Sequence, residues 1–543
     1  MRKTLLILAI LIPGAALGQQ HAHQAQERSA TLMPGLGAHH HPVSTSNREA
    51  QRFFDQGLAL AYAFNHEEAT LSFRRAAELD PGLGMAYWGV AFSVGPNYNL
   101  DIDPERAKAA YEAIQKARAL SSRAPAQERA YIEALARRYS ADTNADRRQL
   151  AIDYKNAMGE MVKSYPDDLD AATLYAESMM NLRPWKLWNK EGKPEEGTEE
   201  IVSVLESVLR RDPNHIGANH FYIHAVEASP NPERGLASAR SLKTLAPSAG
   251  HLVHMPAHIQ MRVGDYNSAA LSNEAGAEAD RTYIRSRGGQ GVYPMMYYNH
   301  NVHFLVAAYG MAGRFEDARR AASELYGNLS PQVKQMPMVD SMLPAPSLVL
   351  VRFRRWSDVL SLPEPPEEMP GTRAMWRYSR ATAYAGTGQV AKAEAERETF
   401  LAAAKALPAD AQWGFSSASA IMKIAETVLG AKISLAKRDT RAAVELFKQA
   451  IALEDQLPYN EPAEWDAPTR EALGGVLLRS RRYREAEEVF REDLKRNPRS
   501  GRSLFGLFQS LRAQGKRSEA ESVEKEFREA WKYADTPLRA ADL

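Results

Sequence analysis

The chain contains no cysteine, which removes disulfides, thiolate metal sites and cysteine nucleophiles from consideration. That absence suits an oxidising compartment. Neither sign of charge is in excess, with 68 Lys and Arg against 67 Asp and Glu. Nothing therefore points to nucleic acid, and no acidic solvating tail is present. Beyond the N-terminus no apolar run approaches the roughly 18 residues of a membrane span. Runs that alternate Val, Ile, Thr and aromatics with polar residues are missing, so no sheet is expected. No HExxH, GxSxG or paired-carboxylate motif appears. Gly288-Gly289-Gln290-Gly291 lacks the lysine and preceding strand of a phosphate loop. Histidine also runs out, since all 14 lie before residue 304.

The N-terminus reads as an export signal. Arg2 and Lys3 form a charged region, Leu5 to Ile12 a short apolar core, and Ala16-Leu17-Gly18 the small residues at a cleavage site. The apolar core is too short to cross about 30 Å of hydrocarbon, so it is not read as an anchor. Without a cysteine after it there is no lipid anchor. The expectation is a Sec-type signal over 1–18, cut before Gln19, and a periplasmic or secreted mature chain. The cut would expose Gln19-Gln20-His21, whose amine, amides and imidazole suit square-planar Cu(II) or Ni(II).

Residues 19–46 carry His21, His23 and His39-His40-His41 without helical periodicity, and are expected to be a flexible segment. From Asn47 onward the pattern is amphipathic helix, punctuated by Gly, Asp-Pro and Asn-Pro. Ala486 and Ala520 are 34 residues apart, as are Gly235 and Ala269, each in a similar frame. Phe53, Gly57, Ala69, Phe73, Ala76 and Pro81 form an early unit of the same kind. Small residues at a 34-residue period are the signature of tetratricopeptide helix hairpins, because they let helices approach closely. The expected fold is an all-α, right-handed superhelical tetratricopeptide-repeat solenoid of roughly eight to ten hairpins. The run Leu362-Pro363-Glu364-Pro365-Pro366 to Pro370 is taken to divide it into an N-terminal half, 47–361, and a C-terminal array, 371–543.

The histidines carry the chemistry. Three first helices, aligned on the repeat, place Gly217, His220 and His224; His251, His254 and His258; and His300, His303 and Ala307 at equivalent offsets. Spacings of three, four and seven return to one helix face, and neighbouring helices lie about 8–10 Å apart. His220, His224, His251, His254, His258, His300 and His303 are thus candidate metal ligands lining a concave groove. Neutral imidazoles suit zinc, copper, iron or nickel. The bland alternative is groove histidines bonded to backbone, Tyr or Asn. Glu227 shares the face and is a candidate general base beside a metal-bound water. His215 and His66 lie off it, His66 as a packing or capping residue.

Trp185, in a loop with Trp188, and Tyr298 with Asn299, after the glycine-rich insertion, are candidate ligand-binding residues; the insertion is a lid or a long connection.

The blocks AHHHPVST, AFNHEEATLSFRRAAELDP, MAYWGVAFSVGPNYN, NLRPWKLWNKEGKP, ANHFYIHAVEASP, HLVHMPAHIQMRVGDY and YNHNVHFL make the chain resemble a family of exported bacterial tetratricopeptide-repeat proteins. The resemblance covers about residues 38–320. It implies the fold and export, and marks the His-bearing blocks as the family's distinctive part; it implies no reaction.

Three readings follow. The first is a periplasmic solenoid that holds a transition metal, with a ligand or a protein or peptide partner, in its His-lined groove. The second is a metal-dependent enzyme using Glu227. The third is a protein-interaction scaffold without metal.

Overall fold

The computed structural model describes residues 30–465 and 467–543. The expected signal sequence, its cleavage site and the Gln19-Gln20-His21 motif lie outside the described residues. Among those described, the only strands are Gln412–Trp413 (β1) and Ser416–Ser417 (β2), paired antiparallel. The remainder is helices and their connections, stacked as an all-α repeat solenoid. None of the described helices is long and apolar enough to cross a membrane.

The chain forms two compact units. The first comprises residues up to 259 and 275–298, the second 260–274 and 299–543. The first contains α1 (Arg48–Tyr62), α2 (His66–Leu79), α3 (Gly84–Val94), α4 (Pro104–Leu120), α5 (Ala126–Ala136), α6 (Arg147–Ser164), α7 (Leu169–Met180), α8 (Thr198–Arg211), α9 (Ile216–Val226), α10 (Leu236–Leu245) and α11 (Gly250–His254). The chain passes between the units within α12 (Pro256–Arg262) and α13 (Tyr266–Arg287). The second unit continues with α14 (Asn299–Ala312), α15 (Phe315–Leu329), α16 (Ala345–Arg352), α17 (Trp356–Ser361), α18 (Pro370–Gly386), α19 (Val390–Lys405), α20 (Ala418–Ala436), α21 (Thr440–Glu454), α22 (Thr469–Arg479), α23 (Tyr483–Arg496), α24 (Gly501–Ala513) and α25 (Arg517–Ala530).

Within each unit successive helices pack on each other, and first helices also pack on first helices, as α9 does on α1 and on α7. The polar punctuation starts the helices. Asn47, Asp103, Asp146, Asp168, Asp439 and Ser500 each accept a backbone N–H from the first turn that follows.

One packing device recurs in both units. Phe73 of α2 lies between Gly57 of α1 and Gly89 of α3, each sixteen residues away; a Cβ on Gly57 would meet the ring at 2.7 Å, and one on Gly89 would come closer still. Phe490 of α23 lies in the same way between Gly474 of α22 and Gly506 of α24. Both rings are fully buried. The glycine sets how near two helices approach, and the aromatic fills the seam between one repeat and the next.

Two expectations change. Residues 30–46, in the span expected to be flexible, are packed: Leu36, His41 and Val43 are buried. Met33 N donates to Gln56 Oε1 at 2.7 Å, Gln51 Nε2 to the His41 carbonyl at 2.8 Å, and Ser44 Oγ to Glu128 Oε2 at 2.7 Å. The proline-rich stretch also does not separate compact units, and residues 47–361 and 371–543 are not the two bodies. Asp340 accepts backbone N–H groups from Gly371 and Thr372 at 2.6 and 3.0 Å, and Ser379 Oγ donates to Ser347 Oγ at 3.2 Å. Those contacts span the prolines, so a fragment starting at Gly371 loses the cap of α18.

Gly89→Ala and Gly506→Ala are each expected to lower stability by about 1–3 kcal/mol, because overpacking outweighs the roughly 1 kcal/mol of helix propensity that alanine adds. Urea unfolding followed by circular dichroism measures this; unchanged or raised midpoints would show that the rings are not clamped.

Candidate functional site

Five of the seven candidate ligands converge inside the first unit. His220 and His224 lie on α9, His251 and His254 on α11, and His258 on α12. Pro256, which has no N–H to give, opens α12 and separates it from α11 at Met255. Each of the five is no more than 3% exposed. This corrects the open groove expected from the repeat. Long connections fold over the helix face: Tyr98 packs on His224 with ring centroids 5.2 Å apart, Trp185 on His224 at 5.5 Å, Tyr297 on His251 at 4.9 Å, and Phe64 on His220 at 4.5 Å.

The proton positions follow from the partners. His220 Nδ1 is 2.6 Å from the Tyr62 carbonyl, which only accepts, so Nδ1 carries the hydrogen and Nε2 the lone pair. His224 Nδ1 is 2.8 Å from Glu227 Oε1 and His258 Nδ1 is 2.5 Å from Oε2. Burial opposes ionisation of Glu227, but the facing histidines outweigh it and lower its carboxyl to about 2. An ionised carboxylate offers only acceptors, so both imidazoles donate through Nδ1 and present Nε2 lone pairs. Burial, reinforced by neighbouring histidines, holds His220 well below the usual imidazole value; burial also lowers His224 despite Glu227. Both are neutral near pH 7.

His224 Nε2 is buried without a hydrogen-bond partner. One ring nitrogen of His224 lies within 4.8 Å of a ring nitrogen of His220 and of one of His251. His220 Nε2 and His251 Nε2 are 3.1 Å apart, and His254 Nε2 and His258 Nε2 are 2.9 Å apart. Two such nitrogens need a proton or a cation between them. Nitrogens bound to one ion at about 2.0–2.1 Å in tetrahedral geometry stand about 3.4 Å apart, so an ion would need each pair to open by a few tenths of an ångström. A carboxylate behind the far nitrogen is the usual support of a ligating histidine.

The other candidates are placed as follows. His300 and His303 stand on α14 in the second unit, His300 edge-on to Phe304 at 5.3 Å. Trp185, with φ at 60°, meets the cluster and donates Nε1 to Asn99 Oδ1 at 3.1 Å. Trp188 docks its loop through Nε1 to the Ala225 carbonyl at 2.8 Å. Tyr298 accepts from Arg281 Nε at 3.2 Å, and Asn299, in the second unit, accepts from Asn328 Nδ2 at 3.0 Å. The tyrosine against His251 is Tyr297, one residue earlier. Both Glu227 oxygens receive imidazole N–H groups, an orienting arrangement. His66 stacks on Phe64 at 6.0 Å, as a packing residue does.

A second cluster escaped sequence reasoning. Asp170 of α7 receives the Tyr62 hydroxyl at 2.6 Å and His39 Nε2 at 3.1 Å on Oδ1, and His41 Nδ1 at 2.8 Å on Oδ2. His215 Nε2 approaches Oδ1 at 3.2 Å outside hydrogen-bonding geometry. Its Nδ1 accepts the Ala218 N–H at 3.1 Å and caps α9. These groups point at the carboxylate itself, so Asp170 is the centre of the cluster. It clasps the N-terminal segment to the helices.

The geometry defines a helical-repeat protein with a buried imidazole cluster. No family model matches the chain, and no curated protein matches it. Among solved structures it is similar to the human IFIT1 dimer with m7Gppp-AAAA, at 13% identity and a TM-score of 0.32, over 90% of this chain and 91% of that one. It is similar also to yeast Tom70, at 13% identity and a TM-score of 0.31, over 90% and 93%.

The clasp has a definite pH dependence. Burial disfavours charge on all three groups, but Asp170 raises His39 and His41 above 6.5, and those histidines hold Asp170 well below 3.8. The Asp170 contribution is present above 3.8 and lost as pH falls through its lowered value. The histidine contributions are complete below 6.5 and lost as pH rises through their raised values. Hydrogen exchange in residues 30–46 is therefore expected to be slowest, after correction for intrinsic rates, between about pH 4 and 6.5, and to quicken toward alkaline pH. Asp170→Asn should flatten that profile; an unchanged profile would show that the clasp is not electrostatic.

Proposed function

We propose that this chain is an exported, periplasmic repeat protein that binds a transition metal ion, zinc, copper, iron or nickel, through His220, His224 and His251. The observation that carries the reading is His224: its Nε2 is buried without a hydrogen-bond partner, its lone pair is fixed by Glu227, and its ring stands in a group with those of His220 and His251. Both ring nitrogens of His66 are also buried without a partner, so what singles out His224 is the pair of imidazoles grouped with it. Export is supported by the charged, apolar and small-residue pattern of residues 1–18 and by the lack of cysteine. The helical repeats outside the cluster supply surface for a protein or peptide partner.

Glu227 acts in this reading by orienting His224 and His258. A general base must reach a substrate proton. Here both oxygens are engaged by imidazoles at 2.8 and 2.5 Å, which favours metal binding over Glu227-based catalysis.

Tag-free protein purified without chelating resin should contain at least one equivalent of a transition metal by mass spectrometry. His224→Ala should remove it, taking the place that the helix-face argument gives to His254. Glu227→Gln should weaken binding about 10–100-fold, because the amide offers a donor to one imidazole and disturbs its tautomer. His66→Ala should leave metal content unchanged. Protein that stays metal-free after incubation with each of the four ions is left with the scaffold reading.

A further inference from the structure

The three-histidine site leaves two buried imidazoles unexplained. His258 repeats the arrangement of His224. Its Nδ1 donates to the other oxygen of the same carboxylate, which leaves its Nε2 as a lone pair. That lone pair faces His254 Nε2 at 2.9 Å, as His220 Nε2 faces His251 Nε2 at 3.1 Å. The chain has thus built the same device twice around Glu227.

One ion cannot use all five. Ligand nitrogens on one ion at about 2.1 Å lie within about 4.2 Å of one another. His220, His224 and His251 form a group with nitrogens within 4.8 Å, and His254 and His258 do not join it. They are adjacent to it, with the 251–254 and 224–258 ring centroids each 5.6 Å apart.

We propose that His254 and His258 form a second cation position next to the first, with Glu227 orienting one ligand of each, so that the cluster is a two-ion centre for borderline divalent cations such as Cu(II) or Zn(II). The proposal rests on the metal reading above and adds the number of ions and the division of ligands. Imidazole nitrogens without thiolate or first-sphere carboxylate select late first-row ions over calcium or magnesium.

The test is a titration of metal-stripped, tag-free full-length chain with Cu(II), counting only the equivalents that the histidine variants below remove. Calorimetry and paramagnetic resonance read it. Two equivalents are expected, and the resonance signal should broaden as the second ion enters and neighbouring ions couple. The His254→Ala, His258→Ala double variant should bind one equivalent with the signal unbroadened. The His220→Ala, His224→Ala variant should likewise lose one equivalent. Wild type that saturates at one equivalent overturns the pair and leaves the single-metal reading standing. A His254, His258 variant that still takes two equivalents does the same, while wild type that binds none overturns both. Where the double variant fails to fold by circular dichroism, the wild-type stoichiometry and signal decide.

Discussion

A single buried carboxylate orders the core of the first unit. Glu227 is 1% exposed and ionised, a state that costs several kcal/mol unless the charge is well partnered. Its partners are two imidazole N–H groups, one on each oxygen, from α9 and α12. Hydrogen bonds to an ionised acceptor are about twice as strong as neutral ones. They also fix direction: once Nδ1 is turned to Glu227, Nε2 must point to the opposite side of the ring. One anion thereby sets the tautomer and orientation of two histidines and pins the α11–α12 break against α9.

Tyr62 extends that order. At the C-terminal end of α1, its carbonyl accepts His220 Nδ1–H and its hydroxyl donates to Asp170. The residue that selects the His220 tautomer is therefore also held by the clasp that receives His39 and His41. Its ring covers the α-carbon of Gly217, where a Cβ would stand 2.6 Å away. The two buried clusters share a wall, and the N-terminal segment, α1, α7 and α9 meet there. His215 serves the same junction by capping α9 from the Asp170 side.

What was legible in the sequence is what is local. Helix starts depend on a side chain reaching two or three residues along the chain, and Asn47 or Asp168 does so. The repeat was legible because close helix packing needs small residues at a 34-residue period, as at Ala486 and Ala520; the sixteen-residue spacing of the aromatic seam was not read from the sequence. The histidine face was legible for His220 and His224, since three- and four-residue spacing on one helix fixes their side. At His254 the helix face is interrupted by the Pro256 break, across which it pairs with His258. Distant contacts left no periodic trace. His39 and Asp170 are 131 residues apart, and nothing near the histidine run announces the carboxylate. Burial was illegible for the same reason, because Tyr98, Trp185 and Tyr297 reach the cluster from separate connections. The proline-rich stretch misled because prolines mark an absent helix and not an absent contact, and Asp340 reaches past them.

Burial also separates two properties that an open groove would combine. On the metal reading, affinity resides in imidazoles oriented by Glu227 and the Tyr62 carbonyl, groups whose positions are set by packed helices. Access resides in the connections, since Phe64, Tyr98, Trp185 and Tyr297 pack over His220, His224 and His251. Of those connections, the one bearing Trp185 is held in a left-handed backbone conformation that a bulky residue rarely adopts, with indole hydrogen bonds from Trp185 to Asn99 and from Trp188 to the Ala225 carbonyl. On the metal reading, loosening those bonds would change how fast an ion enters or leaves. It leaves the ligand geometry, and with it the equilibrium affinity, to the helices and the carboxylate behind them.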